Sequence, residues 1–294
     1  MEPKEARIIF LGTSPLSSFY LEALKKDGWR IVGLMDKKMA VDEVKKLSPD
    51  LGIMAYFGKI LPPEILAALP RGILNVHHSL LPRWRGPSPV QAALLAGDEK
   101  TGVSILLTKE KVDAAEILVQ RELPILAEDT YLSLEHRLIE IGVPLLLETL
   151  PLYLEGKIIG EAQNETQATY SHLIKTDDGK INWSRSVEEI HRQIRALNPE
   201  PGTFTLWNGK RLIIMEARLN KTSHNFKSGQ VLAEGPDEER TDGDGPASPS
   251  QGGFKIAATG GFIIPTKIKL EGKKETTPSA FLKGYPQIIG SCLG

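Results

Sequence analysis

Two short stretches of the chain carry residue types that can do polar chemistry together. The first is Asn75-Val76-His77-His78-Ser79-Leu80-Leu81-Pro82-Arg83-Trp84-Arg85-Gly86. Gly72 to Val76 is apolar except for Asn75 and reads as the end of a buried strand, so Asn75 and His77 leave the pleat on the same side. An amide donor and an imidazole then converge at a strand's carboxyl end, where they can polarise a carbonyl and manage a proton. The second is Asp113, with Glu110 and Glu116 nearby, after the apolar run Val103 to Thr108. A weaker third stretch, Ala55-Tyr56-Phe57-Gly58-Lys59-Ile60-Leu61-Pro62, sets a glycine turn and apolar side chains at another strand end, as in the wall of a pocket for an aromatic ligand. Taken singly, each has an ordinary structural alternative: a satisfied histidine after a strand, a surface carboxylate, a turn with core anchors.

The elements that must position these groups follow from hydrophobic spacing. Arg7 to Leu11 is a short apolar run ending at Gly12-Thr13-Ser14, a buried strand and its turn. Helical spacing over Phe19 to Lys26 follows, then strands at Trp29 to Met35, Asp50 to Tyr56 and Gly72 to Val76, with a helix from Pro62 to Leu69. Val90 to Ala96 is a helix, Val103 to Thr108 a strand, and Thr130 to Leu154 a long Leu-rich helical region in which Gly142 and Pro144 are breaking signals. This alternation predicts a Rossmann-like open parallel α/β sheet, with its site at the carboxyl ends of the strands, at Gly12, Phe57-Gly58 and His77-His78. The pattern then changes. Ser186 to Leu197 is an amphipathic helix with a capping box. Five short strands follow, at 203–207, 211–217, 229–232, 254–257 and 262–269, with a hairpin signal at Asn208-Gly209. They predict a small OB-like β-barrel. The expected division is 1–167 catalytic, 168–182 connector and 183–294 C-terminal, with a flexible, solvated loop at 233–253.

Composition removes several function classes. With 36 Lys and Arg against 37 Asp and Glu the formal charge is −1, so no partner is indicated by net charge. A single cysteine, Cys292, precludes a disulfide framework within the chain and leaves a Cys-based metal site almost no ligands, so no metal is expected. One free thiol, a first apolar run too short for a signal peptide and no long apolar stretch together predict a cytoplasmic protein without a membrane partner, read as a monomer.

The order Asn75-x-His77-x-Ser79-Leu80-Leu81-Pro82, with Asp113 after the next strand, resembles the 10-formyltetrahydrofolate-dependent formyltransferases. The likeness extends along nearly the whole chain, through Phe10-x-Gly12-Thr13, Gly97-Asp98-x-x-Thr101-Gly102-Val103, Glu128-Asp129-Thr130, Asn182-Trp183-Ser184, Arg195-x-x-Asn198-Pro199-x-Pro201-Gly202 and Phe281-Leu282-x-Gly284. It is strongest for those members that formylate initiator methionyl-tRNA. The resemblance implies that Asn75 donates to the formyl oxygen, that His77 shares this and moves protons, and that Asp113 orients His77 and accepts the amine's proton. It implies a folate-binding segment at Ser79, Leu80, Leu81 and Pro82, a pterin pocket lined by Gly58, Ile60 and Leu61, and 10-formyltetrahydrofolate as formyl donor.

Three positions depart from the family's pattern. Ala115 stands where glycine is usual, and a Cβ there is costly if the backbone needs a positive φ. Lys109-Glu110-Lys111 is unusually charged. Only Asp36 to Pro49 separates the second and third strands, which shortens the loop that contacts tRNA in the family, although Lys37, Lys38, Lys45 and Lys46 remain, most simply on a solvated helix. Two other readings therefore stand beside tRNA formylation: an amino-sugar-nucleotide formyltransferase, and a catalytically impaired paralogue that binds folate or RNA. Ten Lys and Arg residues between Lys210 and Lys274, outside the acidic loop, favour a phosphate backbone as partner.

Overall fold

The computed structural model describes residues 3–35, 40–235 and 252–294. Backbone contacts divide the chain into two units, residues 1–93 with 98–173, and residues 94–97 with 174–294. The parts of the predicted loop at 236–251, and Lys37 and Lys38, lie outside the described residues.

In the first unit the apolar run Arg7–Leu11 forms β1, and its neighbours β2 (Arg30–Met35) and β3 (Leu51–Ala55) pair with it in parallel. β3 pairs in parallel with β4 (Ile73–His77). Every residue of β3 and β4 is buried, which is why both read as continuous apolar runs. The expected open sheet is thus present, in the order β2-β1-β3-β4-β5-β6. Its last two strands, β5 (Lys100–Leu107) and β6 (Ile117–Pro124), run antiparallel. β6 has no counterpart in the sequence reading. Its side chains alternate between cover and solvent, and the polar ones at Gln120 and Glu122 mask it as a loop. An antiparallel pair needs only a short connection. That connection, 108–116, contains Asp113.

The order of strands reverses between β1 and β3, which opens a crevice at their carboxyl ends. Around the sheet lie α1 (Ser17–Lys26), α2 (Val41–Lys46), α3 (Pro63–Ala67), α4 (Pro89–Ala96) and α5 (Tyr131–Leu154). Lys45 and Lys46 lie on α2, which docks through Val44 onto a core of Ile9, Leu11, Ile65 and Ile73. α5 starts at a capping pair in which the Thr130 side chain accepts from Ser133 N and the Ser133 hydroxyl accepts from Thr130 N. It runs unbroken through both Gly142 and Pro144. Gly142 serves packing instead: a Cβ there would lie 2.2 Å from the Tyr20 hydroxyl of α1.

The second unit holds α6 (Val187–Leu197), capped by Ser186 and Glu189 as its sequence predicts. An antiparallel sheet follows in the order β7-β8-β11-β10-β9, comprising β7 (Thr203–Trp207), β8 (Lys210–Asn220), β9 (Val231–Ala233), β10 (Phe254–Ala258) and β11 (Gly261–Leu270). These are the five strands expected of the OB-like module, each displaced by a few residues at most. A short β12 (Glu275–Thr276) and α7 (Pro278–Gly284) complete it around a core of Trp183, Ile190, Trp207, Phe254 and Phe281. Of the basic side chains, Arg218, Lys221 and Lys267 are ion-paired, and Arg211 and Lys255 lie over the Phe204 and Phe262 rings.

Candidate active site

The connection after β5 begins beside the amino end of β4, where Thr108 N donates to Ile73 O at 2.8 Å. It then folds back so that the Asp113 carboxylate meets Asn75, His77 and the Arg83–Gly86 turn. Asn75 Nδ2 donates to Asp113 Oδ1 at 3.1 Å, and Gly86 N donates to Asp113 Oδ2 at 2.9 Å. His77 Nδ1 lies 3.6 Å from Asp113 Oδ2, an electrostatic contact longer than a hydrogen bond. His77 Nε2 lies 3.0 Å from Trp84 O. A carbonyl only accepts, so Nε2 carries a hydrogen and Nδ1 is the nitrogen free to exchange a proton. All three side chains are buried to about nine-tenths.

Three non-glycine residues around this point have backbones in the left-handed region: Tyr56 at φ 53°, Trp84 at 61° and Asp113 at 50°. Such conformations cost energy and concentrate where geometry serves function. Here each re-aims a group: the Tyr56 ring, the Trp84 carbonyl that holds His77, and the Asp113 carboxylate. Ala115, by contrast, is buried with an ordinary negative φ, so its Cβ carries no backbone penalty. The strained residue is Asp113 itself.

The turn bearing Asp113 is braced from below. Gln163 Nε2 donates to Asp113 O at 2.8 Å and to Ala115 O at 2.7 Å. Its Oε1 accepts from Arg85 Nε and Nη2 at 3.0 and 2.8 Å. Arg85, 1% exposed, also forks onto Glu165. Arg85 and then Lys111 hold the Glu165 carboxyl down to about 2, well below the usual range. Lys109 pairs with Glu116. The charged loop is therefore tied off by local pairs, and Lys109, Glu110, Val112 and Asp113 all face one cavity.

That cavity, about 540 Å³, is the size of a small-molecule site. Asn75, His77 and Asp113 lie on its wall with Gly58, Ile60 and Leu61, together with Phe57, Val90 and Leu107. The structure does not bring Ser79, Leu80, Leu81 and Pro82 to this wall. Ser79 and Leu81 are buried beneath it: the Ser79 hydroxyl donates to Arg83 O, Leu81 N donates to Ser104 Oγ, and Gln120 Nε2 donates to Leu81 O. The segment fixes the turn that presents Trp84 O and Gly86 N. Four side chains that motif reading left unused also gather at the cavity: Tyr56, His78, Tyr131 and Glu135, with Tyr20 behind them. Tyr56 and His78 follow strand ends, so the carboxyl-end rule signals them. Tyr20 and Glu135 lie on helices without any local motif. Among the described residues no cluster of His, Cys, Asp and Glu is arranged to hold a metal ion, and no helix is long and apolar enough to cross a membrane.

Comparison with known proteins bears on this arrangement directly. Residues 11–150 match the formyl transferase domain model and residues 173–286 the formyl transferase C-terminal domain model. The methionyl-tRNA formyltransferase of Marinobacter nauticus is 33% identical over 318 residues, spanning 96% of this chain and 97% of that protein. The chain belongs to the formyl transferase family. The methionyl-tRNA formyltransferase of Moorella thermoacetica is 36% identical over 260 residues, covering 88% of this chain and 79% of its own. In fold, the chain is similar to HypX from Aquifex aeolicus in complex with tetrahydrofolic acid, with a TM-score of 0.70 at 20% identity over 97% of this chain; it spans 48% of the HypX chain. Membership places Asn75, His77 and Asp113 in a formyl transferase domain, with β2 to β6 inside the first matched range and β1 ending where it begins.

Proposed function

We propose that the protein transfers a formyl group from 10-formyltetrahydrofolate to the amino group of initiator methionyl-tRNA, acting in the cytoplasm as a monomer. One observation carries the chemistry. A buried carboxylate, Asp113, sits between an amide, Asn75, and an imidazole, His77, on the wall of a cavity of about 540 Å³ with apolar sides. The near-full-length likeness to proteins named for methionyl-tRNA supports the acceptor. In this reading residues 1–167 are catalytic, 168–182 connect, and 183–294 grip the tRNA.

Each group has a role its surroundings permit. Asn75 has two N–H donors, and one is committed to Asp113. The other is available to the formyl oxygen as negative charge develops there. Asp113, anchored by Gly86 N, keeps its orientation while the proton of the attacking amine is transferred. His77 cannot use Nε2, which is held by Trp84 O, so Nδ1 carries the proton traffic toward the leaving nitrogen. Phe57, Ile60, Leu61 and Val112 supply flat and apolar surface for a pterin ring, and polar atoms flank them, so the residues present fit a folate donor.

The deciding assay offers 10-formyltetrahydrofolate with charged initiator tRNA and measures formyl-methionyl-tRNA. Asn75→Ala is expected to lower kcat about 10²–10³-fold, the effect of removing one oxyanion donor, and Asp113→Asn at least as much. Formyl product on an amino sugar nucleotide, with none on tRNA, would sink the reading.

A further inference from the structure

We propose that Glu135, with the Tyr56–His78–Tyr20 chain behind it, forms an ammonium subsite that binds the incoming amine as its cation and removes the first of its protons. The proposal rests on the acceptor reading above and extends it to residues the motif does not contain.

Glu135 lies on the second turn of α5, 3% exposed, and lines the same cavity as Asn75, His77 and Asp113. Its Oε1 is 3.4 Å from His78 Nδ1. Its Oε2 is buried and has no hydrogen-bond partner. A buried carboxylate oxygen left unpaired is costly, and native structures keep such a feature where a ligand or function answers it. A cation entering the cavity would answer it.

The groups facing Glu135 come from four elements. They are His78 after β4, Tyr56 after β3, Tyr20 on α1 and Tyr131 on α5. Tyr20 Oη lies 2.9 Å from His78 Nε2, and Tyr56 Oη lies 2.8 Å from His78 Nδ1. Tyr56 is also close enough to Glu135 to feel both its charge and a hydrogen bond. Each tyrosine has one hydrogen to give and a neutral imidazole has one. One arrangement uses all three: Tyr20 donates to Nε2, Nδ1–H donates to Tyr56, and Tyr56 donates to Glu135. Every hydrogen then points toward the carboxylate, whose Oε2 keeps no partner of its own. Burial first, and then the Glu135 charge, raises both tyrosine pKa values, so the hydroxyls pass protons without ionising.

The reaction needs such a group. Near neutral pH an α-amino group, with pKa about 8, is largely an ammonium ion and has no lone pair to attack with. In the full reaction the nitrogen–formyl carbon bond forms and the bond from that carbon to the carrier nitrogen breaks. Two protons leave the ammonium; one ends on the carrier nitrogen and one is released. Asp113 and His77 are placed for the proton that reaches the carrier. Glu135 takes the one that must leave before attack.

The test compares wild type and Glu135→Gln in methionyl-tRNA formylation from about pH 6 to about pH 9, across the α-amino pKa. The expected result is a deficit of about a hundredfold in kcat/KM at the acidic end, within the range of general-base catalysis, that closes as the amine deprotonates by itself. Equal rates at every pH, or a deficit constant with pH, overturns the proposal. Tetrahydrofolate binding by the variant monitors its fold, and Tyr56→Phe offers a second route: it should reproduce the pH-dependent deficit, and wild-type behaviour would overturn the relay. A second readout does not depend on turnover. L-methionine methyl ester is titrated into each protein loaded with tetrahydrofolate, and binding should weaken about tenfold or more in Glu135→Gln, the scale of losing one charge-assisted contact. Equal ester affinity overturns the subsite even if wild type fails to formylate tRNA, an outcome that would count against the acceptor reading alone.

Discussion

Gln163 illustrates how a residue far from any motif governs one inside it. Its amide spans the carbonyls on both sides of Ala114 and its oxygen accepts from the buried Arg85 guanidinium. Gln163→Ala would free the strained Asp113 backbone and leave Arg85 N–H groups unsatisfied. The expected loss of stability is about 1–3 kcal/mol, the cost of orphaned buried donors, accompanied by a fall in kcat larger than any change in tetrahydrofolate affinity. Denaturant melts and steady-state kinetics measure the two. Glu165 contributes on the same network with a defined pH sign. Its folded pKa is lowered to about 2 from 4.5, so its stabilisation is present above the ordinary carboxylate range and is lost as pH falls through that window. The stability gap between wild type and Glu165→Gln should therefore shrink between about pH 4.5 and about pH 2, as followed by acid titration.

At the scale of elements, α5 and α1 are fitted to each other through one missing methyl group. Gly142 is disfavoured by about 1 kcal/mol relative to Ala within a helix, yet a Cβ would strike the Tyr20 hydroxyl. Gly142→Ala sets that gain against an overpacking cost of about 1–3 kcal/mol, and the clash is expected to win. Tyr20→Phe removes the atom in the way, so Gly142→Ala should cost less in that background. A double-mutant cycle on Tm reads this coupling, and additivity would refute it. Loss of the α5 cap by Thr130→Ala should cost about 1 kcal/mol without altering the pocket. The β5–β6 connection shows the other side of element-level organisation. Because these strands are antiparallel, a short loop suffices, and it can fold back over Asn75 rather than lead into a crossover helix.

For the whole molecule, the C-terminal module's positive charge matters more than the net charge of −1. Of the ten basic side chains between Lys210 and Lys274 outside the acidic loop, Arg218, Lys221 and Lys267 pair with acids and Arg211 and Lys255 lie over rings, while Lys273 and Lys274 are exposed beside the β11–β12 turn. A Lys273→Ala/Lys274→Ala double variant should raise KM for tRNA and flatten its salt dependence, since fewer counterions are released, and leave tetrahydrofolate affinity unchanged. Measuring KM across a salt series checks this.

The sequence by itself determined what local chemistry and periodicity dictate. Continuous apolar runs specified β1, β3 and β4, because a strand covered on both faces admits little else, and β2 was legible from its apolar run although it lies half-exposed at the sheet edge. Ser186 and Glu189 announced the cap of α6. The ordered motif around Asn75 and His77, with Asp113 beyond, named the family and the residues proposed to react. β6 was not legible, because a half-exposed edge strand carries polar side chains that resemble a loop. The bracing of Asp113 by Gln163, and the meeting of Tyr20, Tyr56, His78 and Glu135, were decided only by tertiary structure. Those residues stand up to 115 positions apart in the numbering, on α1, on α5 and at the ends of β3 and β4. No local rule relates them until the parallel sheet brings its strand ends together and α5 lies across them, with Gly142 giving Tyr20 room to reach His78.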